Sequence, residues 1–227
     1  MSARYALYLA PEADEPLWCF GCEWLGYDAQ CGLALPHPRL QGMAPEALHE
    51  ATAHPRVYGF HMTLKAPFRL AVDASTDDLE AAVGDLASRH HAFGPFQLAP
   101  DLRPAGEGKS FLCLHPIDAP PALTRLEADA VVGLDRWRAP LDAAERARRK
   151  PERLAPHELA YLDRHGYPYV LDAFRPHFSL TGPVEDGASY LAAVREALAS
   201  NPPLAQVTIR SLALFERRTL GMCRRQE

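Results

Sequence analysis

Gly59-Phe60-His61-Met62-Thr63-Leu64-Lys65 in the first half of the chain and Arg175-Pro176-His177-Phe178-Ser179-Leu180-Thr181 in the second share one grammar. Each sets a histidine, an apolar residue, a hydroxyl, a leucine and a polar residue in succession. Alternation with period two marks a strand with unlike faces. His61, Thr63 and Lys65 are therefore expected to share one face, and His177, Ser179 and Thr181 the matching face of the second stretch. Met62, Leu64, Phe178 and Leu180 belong on the other face, against a core roofed by helices. The polar faces would then floor a cleft.

Outward from these stretches the pattern repeats. Residues 4–10 read as a strand with Tyr5, Leu7 and Leu9 on one side and Arg4, Ala6 and Tyr8 on the other, followed by helices near 14–25 and 45–53. The first motif strand runs over 62–70, with Pro67 ending its regular pairing. Ser75 stands as the N-cap of a helix to about 90, with Asp77 and Asp78 in its first turn. Strands at 96–102 and 110–115 flank a Gly-rich turn, and a helix follows over 121–135. The second half adds a strand over 177–182, a helix over 188–200 and a long strand over 205–215. Each half thus offers a motif strand, a helix and another strand. This predicts an α+β fold of two pseudo-symmetric lobes of antiparallel strands, with outer helices flanking a central cleft. Residues 1–227 form one such bilobal domain, broken by an Arg- and Pro-rich insertion at about 136–168 with two short helices.

A hydrophobic share of 48% and a charged share of 23% belong to a soluble globular chain. No apolar run is long enough to span a bilayer, and the opening MSARYALYLAPEADEPLW lacks a signal peptide's apolar core and cleavage site. A cytoplasmic protein with no membrane association is expected. Five cysteines, odd in number and unevenly placed, fit reduced thiols. Cys19-Phe-Gly-Cys22 with Cys31 would make a zinc site only if His37 or His49 completed it, at no recognised spacing. A net charge of −5 argues against broad, sequence-blind nucleic-acid binding, though not against a small basic pocket.

The paired motifs His61-Met-Thr63-Leu and His177-Phe-Ser179-Leu resemble those of the 2H phosphoesterase superfamily, the LigT-like group that includes RNA cyclic phosphodiesterases. Beyond the motifs, HMTLKAPF and RPHFSLTGP are similar to a branch of phosphonate-metabolism proteins from phosphonate-utilisation operons. The similarity in element order extends over nearly the whole chain, and the insertion explains the wide spacing of the motifs. The resemblance implies a metal-independent, cofactor-free enzyme that opens a small cyclic phosphodiester, with a ribose cyclic phosphate as substrate. An RNA 2′,3′-cyclic phosphodiesterase or ligase acting on an RNA end is the alternative.

The chemistry suits these residues. Opening a cyclic phosphodiester needs a base to activate water and an acid to protonate the leaving alkoxide, and histidine can be either near neutral pH. Thr63 and Ser179 would donate hydrogen bonds to the non-bridging oxygens as charge builds there. Lys65 would add a charge from the same face. Tyr8 would face the cleft if the first strand lies between the motif strands, or else pack at its rim. Arg175 precedes His177 by two residues and could reach a phosphate, Tyr58 could line the pocket, and Thr181 extends the polar face.

Other readings compete. One His-x-Thr motif occurs by chance; two with the same grammar on corresponding strands do not have that explanation ready to hand. His90 and His91 suit a helix end, where positive charge meets the dipole, and His54, His157 and His165 fall in loops without a role. The arginines of the insertion read as a solvated helix face, or as a lid gripping a second phosphate. A non-catalytic module that binds a phosphorylated ligand is the alternative from another class. A metallohydrolase is disfavoured, since neither motif brings a carboxylate ligand.

Overall fold

The structure, a computed structural model, describes residues 3–217 and 223–226. Its elements run β1 (Arg4–Leu9), α1 (Pro16–Leu25), β2 (Tyr27–Asp28), β3 (Leu33–Ala34), α2 (Pro45–Ala51), α3 (Ala53–Arg56), β4 (Met62–Phe68), α4 (Thr76–Ser88), β5 (Phe93–Gly106) and β6 (Lys109–Pro116). There follow α5 (Pro121–Gly133), α6 (Ala143–Ala147), α7 (Pro156–His165), β7 (Phe178–Ser179), α8 (Gly187–Ser200), β8 (Gln206–Ile209), β9 (Ala213–Arg217) and β10 (Cys223–Gln226). Eight strands form one antiparallel sheet in the order β10-β9-β1-β4-β7-β6-β5-β8, and the helices flank it: an α+β architecture.

The helices arise where the sequence places apolar residues at helical spacing. In α1, Pro16 opens the first turn, Leu17, Trp18, Gly21, Cys22, Trp24 and Leu25 make the buried stripe, and Gly26 closes it at φ 71°. Helix α4 begins at a capping box between Ser75 and Asp78 and buries Leu79, Val83 and Leu86. One apolar cluster runs behind both motif strands, taking in Leu7 and Leu9 of β1, Met62 and Leu64 of β4, Leu112 and Leu114 of β6, and Phe178.

The two motif strands are direct neighbours, joined through the pair Met62–Phe178. Strand β1 lies outside them, between β4 and β9, rather than between the motifs. The long strand expected over 205–215 is two strands that part company: β8 pairs with β5, and β9 with β1. Residues 210–212 connect them across the sheet order. Six inter-strand steps would separate β8 from β9 by about 29 Å in a flat sheet, whereas the link spans at most about 14 Å. The sheet must therefore curl. Among the described residues no helix is long and apolar enough to cross a membrane.

Candidate active site

Met62 and Phe178 are fully buried on the helix side, so their chain neighbours turn to the opposite face. One step either side of the Met62–Phe178 pair, antiparallel register sets His61 across from Ser179 and Thr63 across from His177. The four side chains form a square with the histidines at one diagonal and the hydroxyls at the other. Such diagonal neighbours lie about 7–8 Å apart at their backbones. The apolar floor is held from both motifs: Phe60 stacks on Phe178 with ring centroids at 4.9 Å, and the Trp24 indole donates to the Leu180 carbonyl at 3.0 Å.

Both histidines are anchored alike. His61 Nδ1 lies 2.9 Å from the Gly59 carbonyl, and His177 Nδ1 lies 2.7 Å from the Arg175 carbonyl. A carbonyl can only accept, so each Nδ1 carries the hydrogen, and Nε2 of the neutral ring is the free basic atom. Among the described residues neither Thr63 nor Ser179 spends its hydroxyl on a hydrogen bond. Gly59 makes the first anchor possible. It sits at φ 75°, and a Cβ there would lie 2.4 Å from the Ala29 Cβ. Gly59→Ala is expected to cost roughly 2–4 kcal/mol through backbone strain and overpacking and to depress any activity that uses His61. Urea unfolding checks the first effect; an unchanged midpoint would contradict it.

The surroundings of the two rings differ. Tyr8, itself buried, stacks on His61 with centroids 3.7 Å apart at 22°, and Tyr58 and Phe215 approach it at 6.5 and 6.3 Å. The His61 pKa is pushed down to about 4, first by burial and with a smaller share from His177, against the raising effect of the Gly59 and Tyr58 backbone. His177 has Phe111 at 5.6 Å. Its pKa is also lowered, first by burial and then by Arg103 and His115, against the Arg175 carbonyl.

The predicted supporting residues scatter. Tyr8 is under His61, not at the rim. Tyr58 stands beside His61, and its hydroxyl accepts a hydrogen bond from Arg217 at 3.0 Å. Arg175 turns to Glu158 at 2.7 Å and lies over Tyr169 at 4.0 Å, so its charge is already engaged. Lys65 is a correction. Met62 and Thr63 pair with Leu9 and Tyr8, but Leu7 pairs with Lys65 rather than Leu64. The extra residue is a bulge that reverses the alternation. Lys65 consequently points away from the cleft, buried, and donates to the Val131 carbonyl of α5 at 2.9 Å and to Asp135 at 3.3 Å. Thr181 is a second correction of the same kind. The amides of Leu180 and Thr181 both bond to the Leu112 carbonyl, and the buried Thr181 hydroxyl accepts from the Leu112 amide at 2.9 Å.

Sequence reading missed Arg103 and Phe111. Strand β5 was expected to stop at residue 102 but continues to Gly106. Leu102 lies against Gly187 of α8, so Arg103, the next residue, faces the cleft beside its partner Phe111. Continuing the alternation one residue further would have found it.

The insertion is docked on the sheet's first half. Glu145 takes ion pairs from both Arg4 and Arg69, and its carboxyl is held down at about 2, first by Arg69. Several of its arginines are engaged nearby: Arg138 with Asp135, Arg146 with Asp163 and Arg149 over Tyr167. His90 lies past the end of α4, with its Nε2 3.0 Å from a carboxylate oxygen of Asp129 on α5. His165 closes α7 and is buried, not in a loop. Cys19, Cys22, Cys31 and Cys113 are free thiols.

Residues 63–222 match the family described as Protein of unknown function (DUF1045). A protein named ribose 1,5-bisphosphate phosphokinase PhnN from Laribacter hongkongensis (strain HLHK9) is 34% identical over 214 residues, covering 93% of this chain and 48% of that protein. One of the same name from Janthinobacterium sp. (strain Marseille) is 32% identical over 178 residues, covering 78% of this chain and 38% of that protein. The chain thus spans half or less of the length of these curated relatives.

Proposed function

We propose, from the premise that the chain belongs to the DUF1045 family, that His61 and His177 open a small cyclic phosphodiester by general acid–base catalysis. One observation carries this reading: both imidazoles are held through Nδ1 by the carbonyl two residues earlier and present Nε2 on either side of one strand pair. Divided between the two strands of that pair, the sheet gives two sets of four strands, taken as the two lobes of a single unit over 1–227, of the kind the 2H phosphoesterase resemblance implies, with 136–168 as its insertion.

Neutral His61 takes a proton from water at Nε2, and the water oxygen attacks phosphorus. The ring P–O bond breaks on the opposite side, and the alkoxide takes a proton from His177 Nε2. A phosphomonoester and a free hydroxyl result. Thr63 and Ser179, at the other corners, donate to the non-bridging oxygens. His61 is assigned as base because its environment most strongly opposes protonation. The profile of kcat/KM is expected to be a bell on the acid side of neutrality. Its rising limb reports His61 near pH 4, and its falling limb reports His177 below the 6.5 of a free imidazole. A flat profile between pH 5 and 9, with chemistry limiting, would reject the pair.

The substrate we favour is a ribose cyclic phosphate of phosphonate catabolism. Support comes from the resemblance of the motif stretches and from relatives whose name contains ribose 1,5-bisphosphate. The phosphokinase activity in that name is assigned to the part of those proteins this chain does not cover. Gly108-Lys109-Ser110 is the chain's nearest approach to a phosphate-binding loop, yet Arg103 stands where the first glycine belongs. The tripeptide also leads into strand β6 and not a helix, so no helix N-terminus meets a phosphate there. Phosphorus NMR in excess EDTA, with ribose 1,2-cyclic phosphate 5-phosphate and a 2′,3′-cyclic nucleotide offered in turn, tests the proposal. Opening of the first compound supports it, preference for the nucleotide moves the assignment to RNA ends, and turnover of neither sinks it.

A further inference from the structure

We infer that Arg103, with Phe111 beside it, holds a second anionic group on the substrate, so that the enzyme prefers a cyclic phosphodiester that also carries a phosphomonoester. The inference rests on reading His61 and His177 as the catalytic pair. Arg4 on β1, Arg217 on β9 and Arg103 on β5 lie on the cleft face of the sheet. Arg4 is spent on Glu145, and Arg217 donates to Tyr58. Arg103 makes no hydrogen bond to a described residue. Its ion partner is Asp101, which approaches Nε at 3.5 Å and is half exposed. That leaves the terminal Nη groups, which make no hydrogen bond to a described residue, to grip a phosphate's oxygens as a fork.

Its position is set by the backbone. Leu102 and its partner Leu112 face the helices, so Arg103 and Phe111 face the cleft. The Phe111 ring lies 5.6 Å from that of His177. Arg103 therefore stands on the His177 side of the square, on β5 with β6 between it and β7, near enough for its charge to act on His177. Phe111 gives an apolar wall for the sugar between the two anions. The insertion's arginines, an alternative source of this charge, include Arg138, Arg146 and Arg149, each with a partner of its own.

The test compares ribose 1,2-cyclic phosphate with and without a 5-phosphate, using wild type, Arg103→Gln and Arg103→Lys. The readout is the ratio of kcat/KM for the two compounds. The wild type should favour the doubly phosphorylated one. That ratio should fall about 10- to 100-fold in Arg103→Gln, the worth of a charge-assisted pair, and recover in part in Arg103→Lys. An unchanged ratio overturns the inference. Titration with ribose 5-phosphate needs no turnover: Kd should weaken about tenfold or more in Arg103→Gln, and equal affinity overturns it. A protein that binds ribose 5-phosphate through Arg103 but opens neither ring would keep this site and sink the catalytic reading. One that opens both rings at a ratio indifferent to position 103 would do the reverse.

Discussion

His61→Asn and His177→Asn are each expected to lower kcat for ring opening by about 10²- to 10⁴-fold while the protein stays folded. Asparagine places an amide N–H where histidine has Nδ1–H, so the bonds to the Gly59 and Arg175 carbonyls can persist. What is lost is Nε2, the atom that moves the proton. Because both rings act in the same displacement, the double variant should lose little more than the worse of the two singles. KM should change little, since the hydroxyls and cleft remain. The measurement is single-turnover phosphorus NMR beside a thermal melt. If kcat survived and only KM rose, the histidines would be ligands to a bound phosphate, and the binding-module reading would take precedence.

Lys65→Ala is expected to destabilise the protein by about 3–5 kcal/mol, because it empties the space of a buried stem and leaves the Val131 carbonyl without its donor, while Asp135 keeps Arg138. In a chain of this size that is a fall in Tm of roughly 6–20 °C. Lys65→Met should be much milder, since it keeps the packing of the stem. The depressed pKa of Lys65, about 8 where 10.5 is usual, comes first from burial, with Asp135 opposing. Between these values the unfolded chain binds the proton and the folded one does not. Stability should therefore rise with pH across about 8 to 10.5, as the penalty of the buried charge is relieved, and Lys65→Met should flatten that slope. Were Lys65 a cleft residue, the same variants would raise KM and leave the melting curve and its pH dependence alone.

The two lysine readings show where the chain was legible and where it was not. The alternation in Gly59–Lys65 placed His61, Thr63 and Met62 on their faces, and Ser75 and Asp78 announced the start of α4. Helix starts and short alternating runs are local, and local chemistry decides them. The bulge at Leu64 and the doubled bond at Leu112 depend on the partner strand, and each turned the residue four after its histidine to the wrong side. Strand neighbours were likewise hidden: nothing in residues 205–215 says that one part adds beside β5 and the other beside β1. Arg103 was lost to a strand boundary, the least local feature of all, since β5 runs on only because β6 is there to pair with it.

Strand β1 is held on one side by β4 and on the other by β9, where Arg4 meets Arg217. These partners are separated by most of the chain. At ribosomal rates of about 5–20 residues per second, that separation is on the order of 10 to 40 s of synthesis. Throughout that interval β1, with its run of buried tyrosines and leucines, has an unsatisfied edge, the kind of surface that recruits other strands. Phe215, which completes the aromatic surround of His61, arrives with the same late strand. The nascent protein therefore waits longest for the part that both silences its stickiest edge and finishes its site, and its yield should respond to translation speed and chaperone supply more than its final stability would suggest.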